Sequence, residues 1–269
     1  MNWNLVIRQI RTISKVEIAR YVLARRWLGV YLAAFAPVGL LALDRLIQSR
    51  RTIPSISDFS QIYAVLFQTF VLRLSVFLSC ALVFSQLFRG EMLEKTLHFY
   101  LLTPVRREVI AVGKYLAGVA AMALIFGTTT LLSNLLLYSN SPSMSSFFFE
   151  GPGMSYLGAY VLVVVLACAA YGGIFMLAGL LFRNPIVAAF LVGVWEAFYF
   201  ILPETLQKLT VMHYLQSLLP LVIDRGPFSV IIDPTNPILS VLVVIGIAVG
   251  FVFLSGKVLR RTQIAYSAD

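Results

Sequence analysis

Long apolar runs alternate with short charged segments along this chain, and this pattern predicts membrane-spanning helices. A helix needs about 20 predominantly apolar residues to cross a bilayer. Six runs qualify, at about residues 28–47, 62–88, 111–138, 156–182, 186–203 and 238–256. One such helix is common in the core of a large soluble protein, but six in one chain are not. The pattern therefore predicts an all-α membrane protein with six transmembrane helices in a single transmembrane domain.

Two of the segments outside these runs carry patterns of their own. In residues 1–27, apolar side chains recur on one helical face, while Arg8, Arg11 and Lys15 share the opposite face. This arrangement is typical of an amphipathic helix that lies in the membrane interface with its basic side chains toward anionic lipid headgroups. Residues 203–237 are too apolar for a free loop but contain no run long enough to cross. We expect short re-entrant helices there.

Composition supports a membrane protein and excludes several other classes. The chain has 269 residues, of which 59% are hydrophobic and only 12% charged, whereas an average soluble domain is about a quarter charged. An aromatic share of 13% argues against intrinsic disorder. The two cysteines, Cys80 and Cys168, both lie in apolar runs and are expected to be packing residues. His98 and His213 are far apart, so we expect no metal site.

The distribution of Lys and Arg predicts which ends of the helices face the cytoplasm. Fifteen of these residues lie in residues 1–27, in the segments after the second and fourth runs, and after the last run, against five on the opposite side. By the positive-inside rule, both termini are cytoplasmic and residues 203–237 are external. The net charge of +9 therefore reflects topology, and we expect no nucleic-acid partner.

Two charged residues fall inside the apolar runs, Arg73 in the second and Glu196 in the fifth. An unpaired charge at the bilayer centre costs at least about 2.5–3.5 kcal/mol, so each side chain should face protein or water. We expect them either to form an ion pair between helices or to line a transport path. Aromatic residues close to Glu196 are candidates for the wall of that path or for a dimer contact: Phe198, Tyr199 and Phe200.

Small residues at four-residue spacing occur in two of the runs. They are Gly246 and Gly250 in the last run, and Cys168 with Gly172 and Ala169 with Gly173 in the fourth. Such pairs allow helices to approach closely. We expect all three pairs to pack against other helices of the same chain.

Residues 89–114, RGEMLEKTLHFYLLTPVRREVIAVGK, form the segment between the second and third runs. Glu91, Glu94 and Lys95 lie on a predicted short helix that Thr103 and Pro104 end. The segment is too long and too apolar for a simple turn, which favours a docking surface for a soluble partner. The alternative is an interfacial loop whose charges only set the topology.

This segment resembles the cytoplasmic signature of type-2 ABC exporter permeases. The matching positions are Gly90-Glu91, Glu94, Thr96-Leu97, Leu101-Leu102, Pro104-Val105, Arg107, Ile110 and Gly113-Lys114. The six-helix plan, the interfacial N-terminal helix and the external re-entrant helices are also similar to this family. The chain departs from the family pattern at Lys95, where glycine is usual, and at Arg106, where a small residue is usual.

The resemblance implies that residues 89–110 form a coupling helix that docks on a separate ATP-binding subunit in the cell membrane. Two permease chains, expected here to be a homodimer, and two ATPase subunits would form the exporter, with ATP and Mg²⁺ on the ATPase. Glu91 and Glu94 would pair with charges on that subunit, Pro104 would set the bend, and Arg107 would anchor the segment at the headgroups. The remaining coupling residues by this resemblance are Lys95, Thr96 and Leu97.

The sequence leaves the cargo and one alternative function open. No phosphate-binding G-x-x-x-x-G-K-[ST] motif occurs, so ATP hydrolysis is expected on a partner and no enzymatic site is expected in this chain. We expect a hydrophobic or amphipathic cargo, a description that fits lipids, drugs, lipid-linked glycans and peptides. The alternative is a channel or ion-coupled carrier that needs no ATPase.

Overall fold

The computed structural model describes residues 3–23, 27–48, 55–93, 105–139, 141, 144–182, 184–198, 203–221 and 234–261. Within these residues, 89% are helical and none lies in a strand. The all-α class predicted from the sequence is therefore confirmed for the part of the chain that the structure describes.

The part of the chain that the structure describes contains eleven α-helices and one π-helix. Their bounds are α1 Trp3–Leu23, α2 Leu28–Gln48, α3 Ile56–Leu66, a π-helix Phe67–Val76, α4 Phe77–Leu93, α5 Arg107–Tyr138, α6 Met144–Phe149, α7 Gly153–Leu181, α8 Pro185–Ala197, α9 Glu204–Gln207, α10 Val211–Gln216 and α11 Pro237–Arg261. Local chemistry determines where several of them begin. Ser55 and Asp58 form a capping box at the start of α3, and Asn184 caps α8 with Pro185 in its first turn.

Four helical stretches are long and apolar enough to cross a membrane, namely Ile56–Met92, α5, α7 and α11. The first of them joins α3, the π-helix and α4 without interruption. Two shorter apolar stretches, Leu28–Asp44 and Ile186–Ala197, fall at the first and fifth predicted runs. These helices are compatible with a multi-pass membrane protein.

Helix α7 lies at the centre of the bundle, in contact with α4, α5 and α11. Glycines permit this close packing. The ring of Phe84 on α4 fits between Gly118 and Gly172, where an added Cβ would lie only 2.8 and 2.7 Å from its carbon atoms. A Cβ on Gly173 would lie 3.1 Å from the Ala248 carbonyl oxygen of α11. The small-residue face predicted on α7 is therefore confirmed as an internal packing surface.

The corresponding prediction for the last helix is wrong. A Cβ added to Gly246 or Gly250 would meet no atom within 4 Å, and both residues are exposed. Helix α11 packs instead through another face, which includes Ser240, Val244 and Ala248. Four-residue spacing of small residues allows close approach but does not determine which face meets a neighbour.

The two ends of the bundle differ in chemistry. At one end, which we call the aromatic end, the Tyr138 hydroxyl group shares a 2.7 Å hydrogen bond with Ser60. The Tyr138 ring stacks on Phe147 at a centroid distance of 4.9 Å. At the opposite end, α1 packs along α5, and most of the charged side chains discussed below lie there.

We expect Gly179→Ala to destabilise the bundle, because a Cβ at this position of α7 would lie directly against the backbone carbonyl of Ser85 in α4. Overpacking against backbone costs about 1–3 kcal/mol. The matched control is Gly158→Ala on the same helix, where an added Cβ meets nothing within 4 Å. Thermal unfolding in detergent should show a lower Tm for Gly179→Ala alone. Equal Tm values for the two variants would contradict this account of the packing.

Candidate functional site

Three charged side chains meet inside the protein, at the end of the bundle where α1 packs on α5. The Lys114 ammonium lies 2.8 Å from Glu17 Oε1 and 2.5 Å from Glu91 Oε1. Lys114, Glu17 and Glu91 are 0%, 1% and 3% exposed, respectively. We call this group the ion triad. Because its members come from α5, α1 and α4, it joins three helices at one point.

Close packing of α1 against α5 brings the triad together. The Ser14 hydroxyl group donates a 2.9 Å hydrogen bond to the Gly113 carbonyl oxygen. A Cβ on Gly113 would lie 3.0 Å from Ile13 Cγ2, so glycine permits this approach. The next residue is Lys114, which also lies 5.8 Å from the centroid of the Phe88 ring. Gly113 therefore allows α1 to pack closely on α5, and Lys114 binds α1 through Glu17.

Burial of the ion triad costs free energy, because each charged group loses its contact with water. Removing ions from water costs several kcal/mol each, and only well-placed opposite charges and hydrogen bonds recover it. One ammonium group here serves two carboxylates. Removing Lys114 would leave two like charges adjacent in a buried site, so it is the member on which the arrangement depends.

The structure changes the roles that the sequence predicted for two residues. Glu91 was expected to face an ATPase subunit, but it is buried and paired with Lys114. Its carboxylate is therefore part of the internal framework. Arg107 was expected to reach lipid headgroups, but its guanidinium donates to the carbonyl oxygens of Leu259 and Arg260, at 3.2 and 3.3 Å. It caps the carboxyl end of α11.

Several predicted residues lie outside the described part of the chain: Glu94, Lys95, Thr96, Leu97, Pro104, Tyr199 and Phe200. Their predicted roles in coupling, in the cargo path or at a dimer contact stay predictions. Phe198 is described, at the end of α8, with 50% of its side chain exposed. It is available to lipid or to another chain.

The two charged residues that fall inside predicted apolar runs line one cavity, and whether they form an ion pair or line a transport path stays a prediction. Arg73 and Glu196 both line a space of about 370 Å³. The other lining residues combine apolar walls with two hydroxyl groups: Thr69, Leu74, Phe77, Leu78, Tyr171, Gly193, Ala197 and Met212. Arg73 lies in the π-helix Phe67–Val76, a rare geometry that often occurs at functional sites. An apolar chamber with opposite charges in one wall suits an amphipathic molecule.

Glu196 also has a structural task that the sequence did not reveal. Its carboxylate accepts hydrogen bonds from the backbone N–H groups of Val211 and Met212, at 3.0 and 3.2 Å. These are the first two residues of α10, whose N–H groups have no partner within the helix. The carboxylate therefore connects α8 to the segment predicted to be re-entrant, and electrostatic attraction to Arg73 adds to this connection.

Residues 203–221 fold onto the bundle, because Val211, Met212, His213 and Leu215 are all buried. Gln68 helps to hold them, donating to the Leu221 carbonyl oxygen at 3.3 Å. His213 shares a 2.8 Å hydrogen bond with Thr235. Burial, and secondarily the charge of Lys208, lowers the pKa of His213 below its usual value. The imidazole is therefore held in its neutral form at physiological pH.

Sequence reasoning missed the ion triad, although the signals were present. Glu17 is the one acidic residue among residues 1–27, and Lys114 lies inside the apolar run that became α5. A lone acid among basic residues and a lone lysine in an apolar helix each need a partner. Sequence alone does not show that they are partners of each other, since they are 97 positions apart.

Comparison with known proteins adds no family assignment. No protein-family model matches the chain, and no curated protein matches it.

We expect Lys114→Met to destabilise the protein by about 3–5 kcal/mol, because it removes a cation that directly contacts two buried carboxylates. The triple variant Glu17→Gln, Glu91→Gln, Lys114→Met should recover part of this loss, since it removes the charges along with the cation. Lys208→Met, at an exposed site, is the control. Tm measured in detergent distinguishes the variants. A triple variant no more stable than Lys114→Met would argue against charge as the cause.

Proposed function

We propose that this chain is the transmembrane subunit of an ATP-driven type-2 ABC exporter. The observation that carries the proposal is the placement of the ion triad at both ends of the segment that resembles the family signature. Glu91 lies at the start of that segment and Lys114 at its end, and the two side chains are in direct contact. This fits a coupling element whose two ends are joined by a buried ion pair.

The triad also provides a mechanical route from such a partner to the membrane helices. A displacement of residues 94–104 would act on α4 through Glu91 and on α5 through Lys114. It would reach α1 through Glu17, whose carboxylate binds the same ammonium group. Buried packed groups transmit displacement because they deform little. In this proposal, ATP-driven closure of the partner moves these three helices together.

In the proposed topology, six helices cross the membrane and both termini face the cytoplasm. The triad end of the bundle is then cytoplasmic, and residues 203–221 lie on the external side. Most Lys and Arg residues fall on the cytoplasmic side in this arrangement, as the positive-inside rule requires. Helix α1 lies in the cytoplasmic interface, where the exposed Leu5 and Ile7 side chains would contact lipid.

We further propose that two copies of this chain pair with two ATPase subunits and that ATP and Mg²⁺ bind to those subunits. The Arg73 cavity is the candidate site for an amphipathic cargo, and its mainly apolar wall favours hydrophobic molecules. The same cavity is the observation that favours the alternative function, a carrier driven without ATP, because such carriers place ionisable groups at mid-membrane. Dependence of transport on a bound ATPase separates the two.

Glu94→Lys should weaken the association with an ATP-binding-cassette ATPase. Reversal of a charge at the centre of the proposed docking surface is expected to lower the amount of ATPase recovered by about tenfold, because a like-charge contact costs affinity. The tagged chain would be purified from its native membrane in mild detergent, and the ATPase quantified by mass spectrometry. The matched control is Glu150→Lys, an exposed position near the aromatic end. Recovery of no such ATPase with the unmodified chain would overturn the proposed function.

Glu196→Gln should impair transport more than it impairs folding. The amide keeps one acceptor oxygen for the two N–H groups of α10 and replaces the other oxygen with an N–H donor. It also removes the negative charge that faces Arg73 in the cavity. The assay measures ATP-dependent accumulation of an amphipathic cationic dye in inside-out vesicles that contain both subunits. We expect accumulation to fall by about tenfold, the effect of losing one charge-assisted contact. Tm is expected to fall moderately as well, so dye accumulation is compared at equal amounts of folded protein. Normal dye transport by Glu196→Gln would exclude this cavity from the cargo path, and Glu150→Gln is the control.

A further inference from the structure

A second cavity, of about 430 Å³, opens between α5 and α11 near the triad end of the bundle. Its wall is mostly apolar, formed by Val112, Tyr115, Leu116, Val249, Val252 and Phe253. Three of these side chains are substantially exposed, since Leu116, Val249 and Phe253 keep 44%, 63% and 61% of their surface accessible. We call this cavity the α5–α11 groove. Among the residues that the structure describes, it shares none with the lining of the cavity that contains Arg73 and Glu196.

Two opposite charges line one end of the α5–α11 groove, Glu108 on α5 and Lys257 on α11. The Lys257 ammonium lies 4.5 Å from the centroid of the Phe253 ring, within the groove wall. The Glu108 carboxylate lies 3.7 Å from Arg260, in a contact that leaves it 51% exposed. Exposed ion pairs of this length contribute little. Both charges are therefore accessible to a ligand that enters the groove.

Gly256 keeps the charged end of the groove open. It lies on α11 beside Lys257 and lines the groove with no side chain of its own. A Cβ there would lie in ordinary van der Waals contact with Glu108 Cγ, at 3.5 Å. A larger side chain would fill the space between the two helices, next to the carboxylate. The groove thus has an apolar wall along its length and an open end with one negative and one positive side chain, Glu108 and Lys257.

We propose that the α5–α11 groove binds a phospholipid whose headgroup carries a phosphate and a primary amine, as in phosphatidylethanolamine. An acyl chain lies along the apolar wall, Lys257 binds the phosphate, and Glu108 accepts hydrogen bonds from the amine. Charge complementarity selects this headgroup. Phosphatidylglycerol offers no cation to Glu108, and the quaternary amine of phosphatidylcholine has no N–H group to donate. The inference depends on membrane embedding and not on the ATPase partner.

Lipid selectivity of the purified chain tests this proposal. The unmodified protein and four variants would each be exchanged into mixed micelles with equal amounts of phosphatidylethanolamine, phosphatidylglycerol and phosphatidylcholine, and retained lipid measured by native mass spectrometry. Glu108→Gln and Lys257→Gln alter the groove. Glu150→Gln and Lys208→Gln are the matched controls, since both positions are exposed and distant from the groove in the chain.

The unmodified protein and both controls are expected to retain phosphatidylethanolamine in preference to the other two lipids. Each groove variant should lower that retention by about threefold to tenfold, the range expected for one charged contact at a membrane surface. The same lipid should raise the Tm of the unmodified protein, and this shift should be lost in both groove variants. Because Tm is measured on every variant, a failure to fold is seen directly.

Three results would overturn the proposal. The first is equal retention of the three lipids by the unmodified protein, which would mean ordinary boundary lipid. The second is a preference for phosphatidylglycerol that persists in Glu108→Gln, which would mean general attraction of anionic lipid by basic side chains. The third is retention by the folded groove variants equal to that of their controls. None of these results bears on recovery of an ATPase, so the two proposals fail separately.

Discussion

The buried contact of one ammonium group with two carboxylates is the constraint on which the triad end of this protein depends. Lys114 has no exposed surface, so its charge depends on buried partners, and the Glu17 and Glu91 carboxylates are in direct contact with it. This requirement fixes α1 against α5 and fixes the end of α4 against both. It also sets the base of the segment that resembles an exporter's coupling element. An internal ion cluster, rather than a surface charge pattern, therefore defines the region where a partner would act.

A second polar connection performs a similar task in the other half of the bundle. The Glu196 carboxylate accepts hydrogen bonds from the first N–H groups of α10, and Arg73 adds a smaller electrostatic attraction. Residues 203–221 are thereby connected to α8 and to the π-helix. Both connections place charge where an apolar environment makes the loss of a partner expensive. In the proposed exporter, the residues that join the helices are thus also the residues through which movement would pass.

Much of the helical framework was predictable, because apolar runs of membrane-spanning length leave few alternatives to a helix. The small-residue face of α7 was also predicted, since Gly172 and Gly173 pack as their spacing indicated. The same spacing failed at Gly246 and Gly250, which face open space. Periodicity identifies a face that can be approached, but only the arrangement of the neighbouring helices determines whether it is approached. The π-helix was not predicted, because apolar composition does not distinguish it from an α-helix.

The sequence by itself determined the helical class, the apolar runs and the need for Arg73 and Glu196 to avoid lipid. Those conclusions depend on composition and on the energy of placing charge in hydrocarbon, which act residue by residue. Tertiary structure decided that Glu91 turns inward to Lys114 and that Arg107 caps α11. It also decided that Glu108 and Lys257 share one groove. Helix packing determines which residues distant in the chain come into contact, and a local sequence pattern does not contain that information.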